Sequence, residues 1–251
     1  MPRFFLEVSY KGTRFSGFQI QQNANSIQAE LQKAFEIIKK PVVMTGSSRT
    51  DSGVHAIQNY LHFDLEEDIN DKTIYKLNAI LPADIMIRSI IQVKAESHCR
   101  YDAISREYKY YIYRKKNPFL NDRAYYFPYK IDLEAMEEAA MIIKKYTDFT
   151  SFSRRKTQVK TFECKIMNSQ WQWKNDILVY RVKGNRFLRG MVRALTATML
   201  KVGRNKMSVT EFEEIIKAKN SMEASFGVPP HGLFLIAVNY AQDYFVKEYE
   251  N

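Results

Sequence analysis

With 251 residues, 45% of them hydrophobic, the chain can bury one large core or two modest ones, and two is the more economical division. No apolar run approaches the ~20 residues a helix needs to span a bilayer, and Glu7 interrupts the apolar start, so a soluble, cytoplasmic protein is expected. A net charge of +10 with 14% aromatic residues favours a polyanionic partner whose bases can stack on rings, so nucleic acid is the leading candidate.

Phe4 to Ser9 is strand-like, and Asn25 or Ser26 caps a helix whose Ile27, Leu31, Ala34, Phe35 and Ile38 recur on one face until Pro41 stops it. Val42 to Met44 is predicted as a short strand leading into the run Gly46-Ser47-Ser48-Arg49-Thr50-Asp51-Ser52-Gly53-Val54-His55-Ala56. Tyr60 to Asp64 alternates like a second strand; Ile74, Leu77 and Leu81 mark a helix ended by Pro82; and Ile85 to Val93 closes the set as a strand.

From Ser105 the pattern starts again. Arg106, Tyr108, Tyr110 and Ile112 alternate with Glu107, Lys109, Tyr111 and Tyr113 in an aromatic strand, and Asp132 opens a helix with acids in its first turns and Lys144 and Lys145 at its end. Part of Phe162 to Trp173 and Ile177 to Val182 form two strands joined by Lys174-Asn175-Asp176. Phe187, Met191, Leu195, Met199 and Val202 make an apolar helical stripe closed by Gly203, and Thr210 with Glu213 reads as the capping box of one more helix. Gly232 to Val238 is a last strand. The economical summary is α+β, in two similar halves, 1–103 and 104–251, with mainly antiparallel sheets.

The charge surplus is not evenly spread. Residues 1–103 hold 12 Lys and Arg against 12 Asp and Glu, whereas 104–251 hold 26 against 16. Arg114-Lys115-Lys116, Arg154-Arg155-Lys156, Lys160, Lys183, Arg186, Arg189 and Arg204-Asn205-Lys206 carry it, so a polyanion should meet the second half first. Cys99 and Cys164 lie 65 positions apart in a chain with four histidines, which gives neither a disulfide framework nor metal-ligand spacing; no metal is expected, and both thiols are assigned to the core.

For chemistry the run around Asp51 stands out. In extended backbone, residues two apart share a face, so Arg49 and Asp51 can sit together while Gly53 turns the chain away behind them. A guanidinium beside a poorly hydrated carboxylate keeps it ionised and aimed. No second carboxylate stands at catalytic spacing, and there is no P-loop, Rossmann glycine run or Ser-His-Asp pattern, which removes support for glycosidase, phosphoryl-transfer and hydride-transfer readings. His55 is the rival, read as a packing histidine.

Arg49-Thr50-Asp51-Ser52-Gly53-Val54-His55-Ala56 resembles the signature of TruA-type tRNA pseudouridine synthases. So do Tyr10-Lys11-Gly12-Thr13-Arg14-Phe15-Ser16-Gly17-Phe18-Gln19, Asn78 to Ile85 with its Leu81-Pro82, and the strand through Arg106, Tyr108 and Tyr110. Asp148 to Phe152, Phe187 to Arg193 and Pro229-Pro230-His231-Gly232-Leu233 continue the likeness in order from about residue 3 to 240. Ser48 departs from the family's usual glycine, and Phe18 from its frequent tryptophan.

The resemblance implies two RRM-like or ferredoxin-like α+β halves flanking a basic RNA-binding cleft, and a homodimer that isomerises uridine to pseudouridine at positions 38, 39 or 40 of the tRNA anticodon arm. It implies Asp51 as the catalytic aspartate, Arg49 holding the target nucleotide, Tyr108 against the flipped uracil, and Arg193 paired with Asp51. Arg14, Lys115, Lys116, Arg154, Arg155, Lys156, Arg186 and Arg189 are the expected RNA contacts. No cofactor is expected, since uridine and pseudouridine are isomers. A non-catalytic RNA-binding protein with two RRM-like halves is the competing reading.

Overall fold

The computed structural model describes residues 1–154, 159–242 and 244–245. The chain divides into two units, one of residues 1–104 with 235–251, the other of residues 105–234.

In the first unit, β1 (Arg3–Tyr10) lies between β3 (His55–Asp64) and β4 (Ile85–Val93), antiparallel to both. The two-residue β2 (Thr45–Gly46) pairs with β3, and β9 (Leu233–Asn239) enters this unit at Leu235, beside β3. Helix α1 (Ile27–Ile37) starts where Ser26 accepts the Ala29 N–H, satisfying an orphan donor of the first turn, and its apolar stripe buries Ile27, Leu31, Ala34 and Phe35. Helix α2 (Asp71–Ile80) is capped in the same way by Asn70. The strand expected at Val42 to Met44 is not formed: pairing begins only at Thr45, Val43 is 85% exposed, and the Met44 carbonyl accepts the Gln28 side-chain amide of α1 at 2.7 Å instead of a strand N–H.

The second unit holds the antiparallel set β5 (Ser105–Tyr113), β8 (Ile177–Gly184) and β7 (Ile166–Lys174), with β8 central. The β7–β8 turn uses Asn175 at φ 53°, a conformation asparagine tolerates. A short parallel strand, β6 (Tyr125–Tyr126), pairs with the end of β5 and had no sequence signal. Helices α3 (Leu133–Ile142), α4 (Met191–Gly203) and α5 (Val209–Ala218) pack together, and α3 also lies on β7.

Two expectations shift here. The capping box of α5 is Ser208 with Glu211, not Thr210 with Glu213; both pairs have the required spacing, but Glu213 instead accepts the Tyr146 hydroxyl at 2.6 Å. Phe187 precedes α4, which starts only after Gly190 at φ 75°; its ring meets the edge of Tyr108 at 5.1 Å rather than joining the helical stripe.

The first unit carries a buried titratable cluster with a measurable consequence. Burial, helped by His98 and Arg3, holds His62 down at about 4, and burial lowers His98 as well. Below pH 6.5 the unfolded chain takes up protons that the folded one refuses until about pH 4, so stability falls as pH falls through that window, by roughly 2–3 kcal/mol for His62. Urea midpoints followed from pH 7 to pH 4 should drop accordingly, and His62→Gln should flatten the curve, leaving the slopes of His98 and His231, which burial also lowers. An identical profile in that variant would assign the loss elsewhere.

Candidate active site

Two stretches 40 residues apart in sequence build one object in the first unit. The Tyr10 hydroxyl meets Thr50 Oγ1 at 2.8 Å, and Asn59 Nδ2 donates to the Ser48 carbonyl at 2.9 Å and to the Tyr10 hydroxyl at 3.3 Å. All three side chains are buried, Asn59 completely. A buried polar network of this kind is stable only when its members are satisfied, and these bonds fix the backbone on either side of Arg49. From the other side, Phe18 N–H donates to the Thr50 carbonyl at 3.1 Å, Ser52 Oγ to the Phe15 carbonyl at 3.0 Å, and Gly12 N–H to His55 Nδ1 at 3.1 Å.

Within this clamp the chain turns tightly, Val54 N–H donating to the Asp51 carbonyl at 3.1 Å with Gly53 at φ 78°. Burial alternates: Ser48 and Thr50 are buried, Arg49 is exposed and Asp51 is partly buried. Extended geometry therefore gives Arg49 and Asp51 the side opposite the buried network. Ser48 keeps an ordinary backbone conformation, so the glycine usual in the family is not required there, although its hydroxyl, like that of Ser47, is buried without a partner.

In the second unit Tyr108 sits on β5 opposite Val182, 9% exposed, its ring against Phe187. Arg193 is the third residue of α4; its Nε and Nη2 both donate to the Val228 carbonyl, at 3.1 and 2.6 Å, so its planar head is oriented by the loop before β9. Arg154 and Arg189 meet just before α4: Arg154 N–H donates to the Arg189 carbonyl at 3.0 Å, and the Arg154 side chain lies over Gly190, while Arg186 precedes that helix by five residues. Lys115 and Lys116 are exposed beyond β5. Arg14, in the first unit, forms an ion pair with Asp84, which offsets its charge. Arg155 and Lys156 lie outside the described residues.

The supporting residues Tyr10, Gly12 and Thr50 carried no chemical signal in the sequence, and only their place in two motifs of one family pointed to them; Asn59 lies outside both motifs, and nothing in the sequence pointed to it. Three metal-capable side chains also converge in the first unit, with ligand atoms of His62, His98 and Cys99 within 4.8 Å of one another. They are engaged in hydrogen bonds: the Cys99 thiol donates to the Thr45 carbonyl at 3.1 Å and lies 3.2 Å from His62 Nδ1. His98 Nδ1 accepts the N–H groups of Arg100 and Tyr101 at 3.1 and 3.4 Å, so the neutral ring carries its proton on Nε2, the opposite of what a metal on that nitrogen needs.

Comparison with known proteins bears on the whole chain. A family described as tRNA pseudouridine synthase matches residues 7–102 and 146–241. The tRNA pseudouridine synthase A of Parabacteroides distasonis is 43% identical over 251 residues, covering 99% of this chain and 100% of that protein. That of Bacteroides fragilis is 43% identical over 249 residues, covering 98% and 99%, and that of Staphylococcus aureus 34% identical over 253 residues, covering 99% and 96%. With matches spanning both units at this identity, the chain belongs to the tRNA pseudouridine synthase family.

Proposed function

We propose that this chain isomerises uridine to pseudouridine in the anticodon arm of tRNA, at one or more of positions 38, 39 and 40, with Asp51 as the catalytic carboxylate. The clamped turn at Asp51 carries the proposal: a solubilising aspartate needs no buried polar network behind it, whereas a reacting carboxylate must be held in place. In the reaction the C1′–N1 bond breaks, a C1′–C5 bond forms, C5 loses a proton and N1 gains one. Nothing is added or oxidised, so no cofactor is required.

Attack at C1′, addition at uracil C6 and a glycal route all begin from an ionised Asp51. Arg49 and Arg193 supply positive charge for the target nucleotide and for the carboxylate, and Tyr108 offers a ring to an extruded base, whose unstacking costs a few kcal/mol. Arg14, Lys115, Lys116, Arg154, Arg186 and Arg189 serve the phosphates. A homodimer is what the resemblance implies, and a cytoplasmic location suits a tRNA substrate. Among the described residues no helix is long and apolar enough to cross a membrane. The alternative of a silent RNA-binding protein gains no support from the three relatives above, each named tRNA pseudouridine synthase A.

The test is pseudouridine mapping on tRNA incubated with the purified chain: new pseudouridine confined to positions 38–40 is expected, and modification elsewhere, or none, rejects the assignment. On the same substrate Arg186→Ala and Arg189→Ala should each weaken binding and lower the salt slope by about one. Arg193→Ala should cost turnover more than affinity.

A further inference from the structure

The second unit contains a cavity of about 650 Å³, open to solvent, of whose lining the proposed reaction uses only Arg193. Tyr113, Tyr125, Tyr126 and Phe226 line its wall together with Asn121, His231 and Arg193; among the described residues no Asp or Glu lines it. Its size falls within the range of small-ligand pockets. The Tyr113 and Tyr126 rings are 5.3 Å apart with planes inclined at 43°, and Tyr126 is 43% exposed, so a flat ligand arriving from solvent finds an aromatic face already in place. Their arrangement comes from β6, whose parallel pairing sets Tyr126 opposite Tyr113. Burial keeps His231 below the ordinary histidine range, so at neutral pH it is an uncharged ring, hydrogen-bonded to the Ala124 backbone.

Tyr113 is five residues beyond Tyr108 on β5, about 16 Å along the strand. A uracil lying on Tyr108 does not reach the Tyr113 end of the cavity, whereas Arg193 and Pro229, whose carbonyl accepts the Tyr110 hydroxyl at 2.7 Å, form its near wall. We propose that the cavity is a second nucleobase subsite, which receives an unpaired base of the same tRNA next to the target region, stacked on Tyr126 and Phe226, with Arg193 at the edge that separates it from the reacting nucleotide. Aromatic walls without a carboxylate, in the unit that carries the positive surplus, suit a base attached to a phosphate chain. Such a subsite would grip a flanking nucleotide while the target leaves its stack. The inference rests on the proposed tRNA function.

Its test uses the full chain and tRNA transcripts that are intact or abasic at one flanking position at a time. Tyr126→Ala and Phe226→Ala should each raise KM about tenfold with kcat within about twofold of wild type, and Tyr126→Phe should restore KM. One abasic position should raise KM for the wild-type chain by a similar factor and add nothing further to Tyr126→Ala. Unchanged KM in both alanine variants, or effects that multiply independently at every abasic position, would overturn the subsite. A wild-type chain inactive on intact tRNA defeats the functional assignment together with this inference, whereas an active wild type with unresponsive variants defeats the subsite alone.

Discussion

Asp51→Asn is expected to reduce pseudouridine formation at least about 10⁴-fold while tRNA affinity stays within about threefold, because the amide fills the same space and cannot act as a nucleophile or base. The loop geometry makes this a clean experiment. Val54 N–H to the Asp51 carbonyl, Phe18 N–H to the Thr50 carbonyl and Ser52 Oγ to the Phe15 carbonyl use main-chain groups and a neighbouring hydroxyl, not the Asp51 carboxylate. Changing the carboxylate therefore leaves these restraints standing. Unlike removal of a phosphate contact, the loss should appear in single-turnover rate and be insensitive to salt. Residual turnover within about tenfold of wild type would remove Asp51 from the chemistry.

Why the carboxylate was visible in the sequence and its support was not follows from the kind of signal each leaves. Arg49-Thr50-Asp51-Ser52-Gly53 is local: alternation and a turn glycine are periodic features that a linear reading detects. The Ser26 cap of α1 and the Asn175 turn are local for the same reason and stand where expected. Tyr10 with Thr50, and Asn59 with Ser48, are pairs between distant segments brought together by β1 and β3, and nothing in either segment announces the partner. Residues 59 and 10 look like ordinary strand positions until the register places their polar ends under the same loop.

Local signals also misled where two of them competed. Ser208-x-x-Glu211 and Thr210-x-x-Glu213 both satisfy the capping-box spacing, and the choice depends on burying Phe212, Ile215 and Ile216 while Glu213 reaches Tyr146. Phe187 fits the four-residue rhythm of α4, yet the left-handed Gly190 breaks the helix between them and frees that ring to meet Tyr108. The aromatic cavity near Arg193 was out of reach for the reason that hid the clamp: Tyr126 and Phe226 are 100 positions apart, and the two-residue β6 that presents Tyr126 is too short to leave a pattern.

The clamp itself predicts the second large effect. Gly12→Ala should lower kcat about 100-fold and cost about 1–3 kcal/mol of stability, with tRNA affinity little changed. A Cβ on residue 12 would lie 1.9 Å from the Val54 carbonyl oxygen and 2.7 Å from its carbon, both main-chain atoms with no rotamer to escape through. Either the 310 turn Gly12–Arg14 must lift away, breaking the Gly12 N–H bond to buried His55, or Val54 must retreat and drag the turn that starts at Asp51. Both routes loosen the restraints on the turn at Asp51, and a misplacement of about 1 Å in a reacting group costs about 100-fold, while the basic residues of the second unit keep their places for RNA. The discriminating measurement is the split between kcat and Kd for tRNA, taken at a temperature where the variant is fully folded by circular dichroism. A folded Gly12→Ala with kcat within about threefold of wild type would mean that the close approach of the first motif does not aim Asp51.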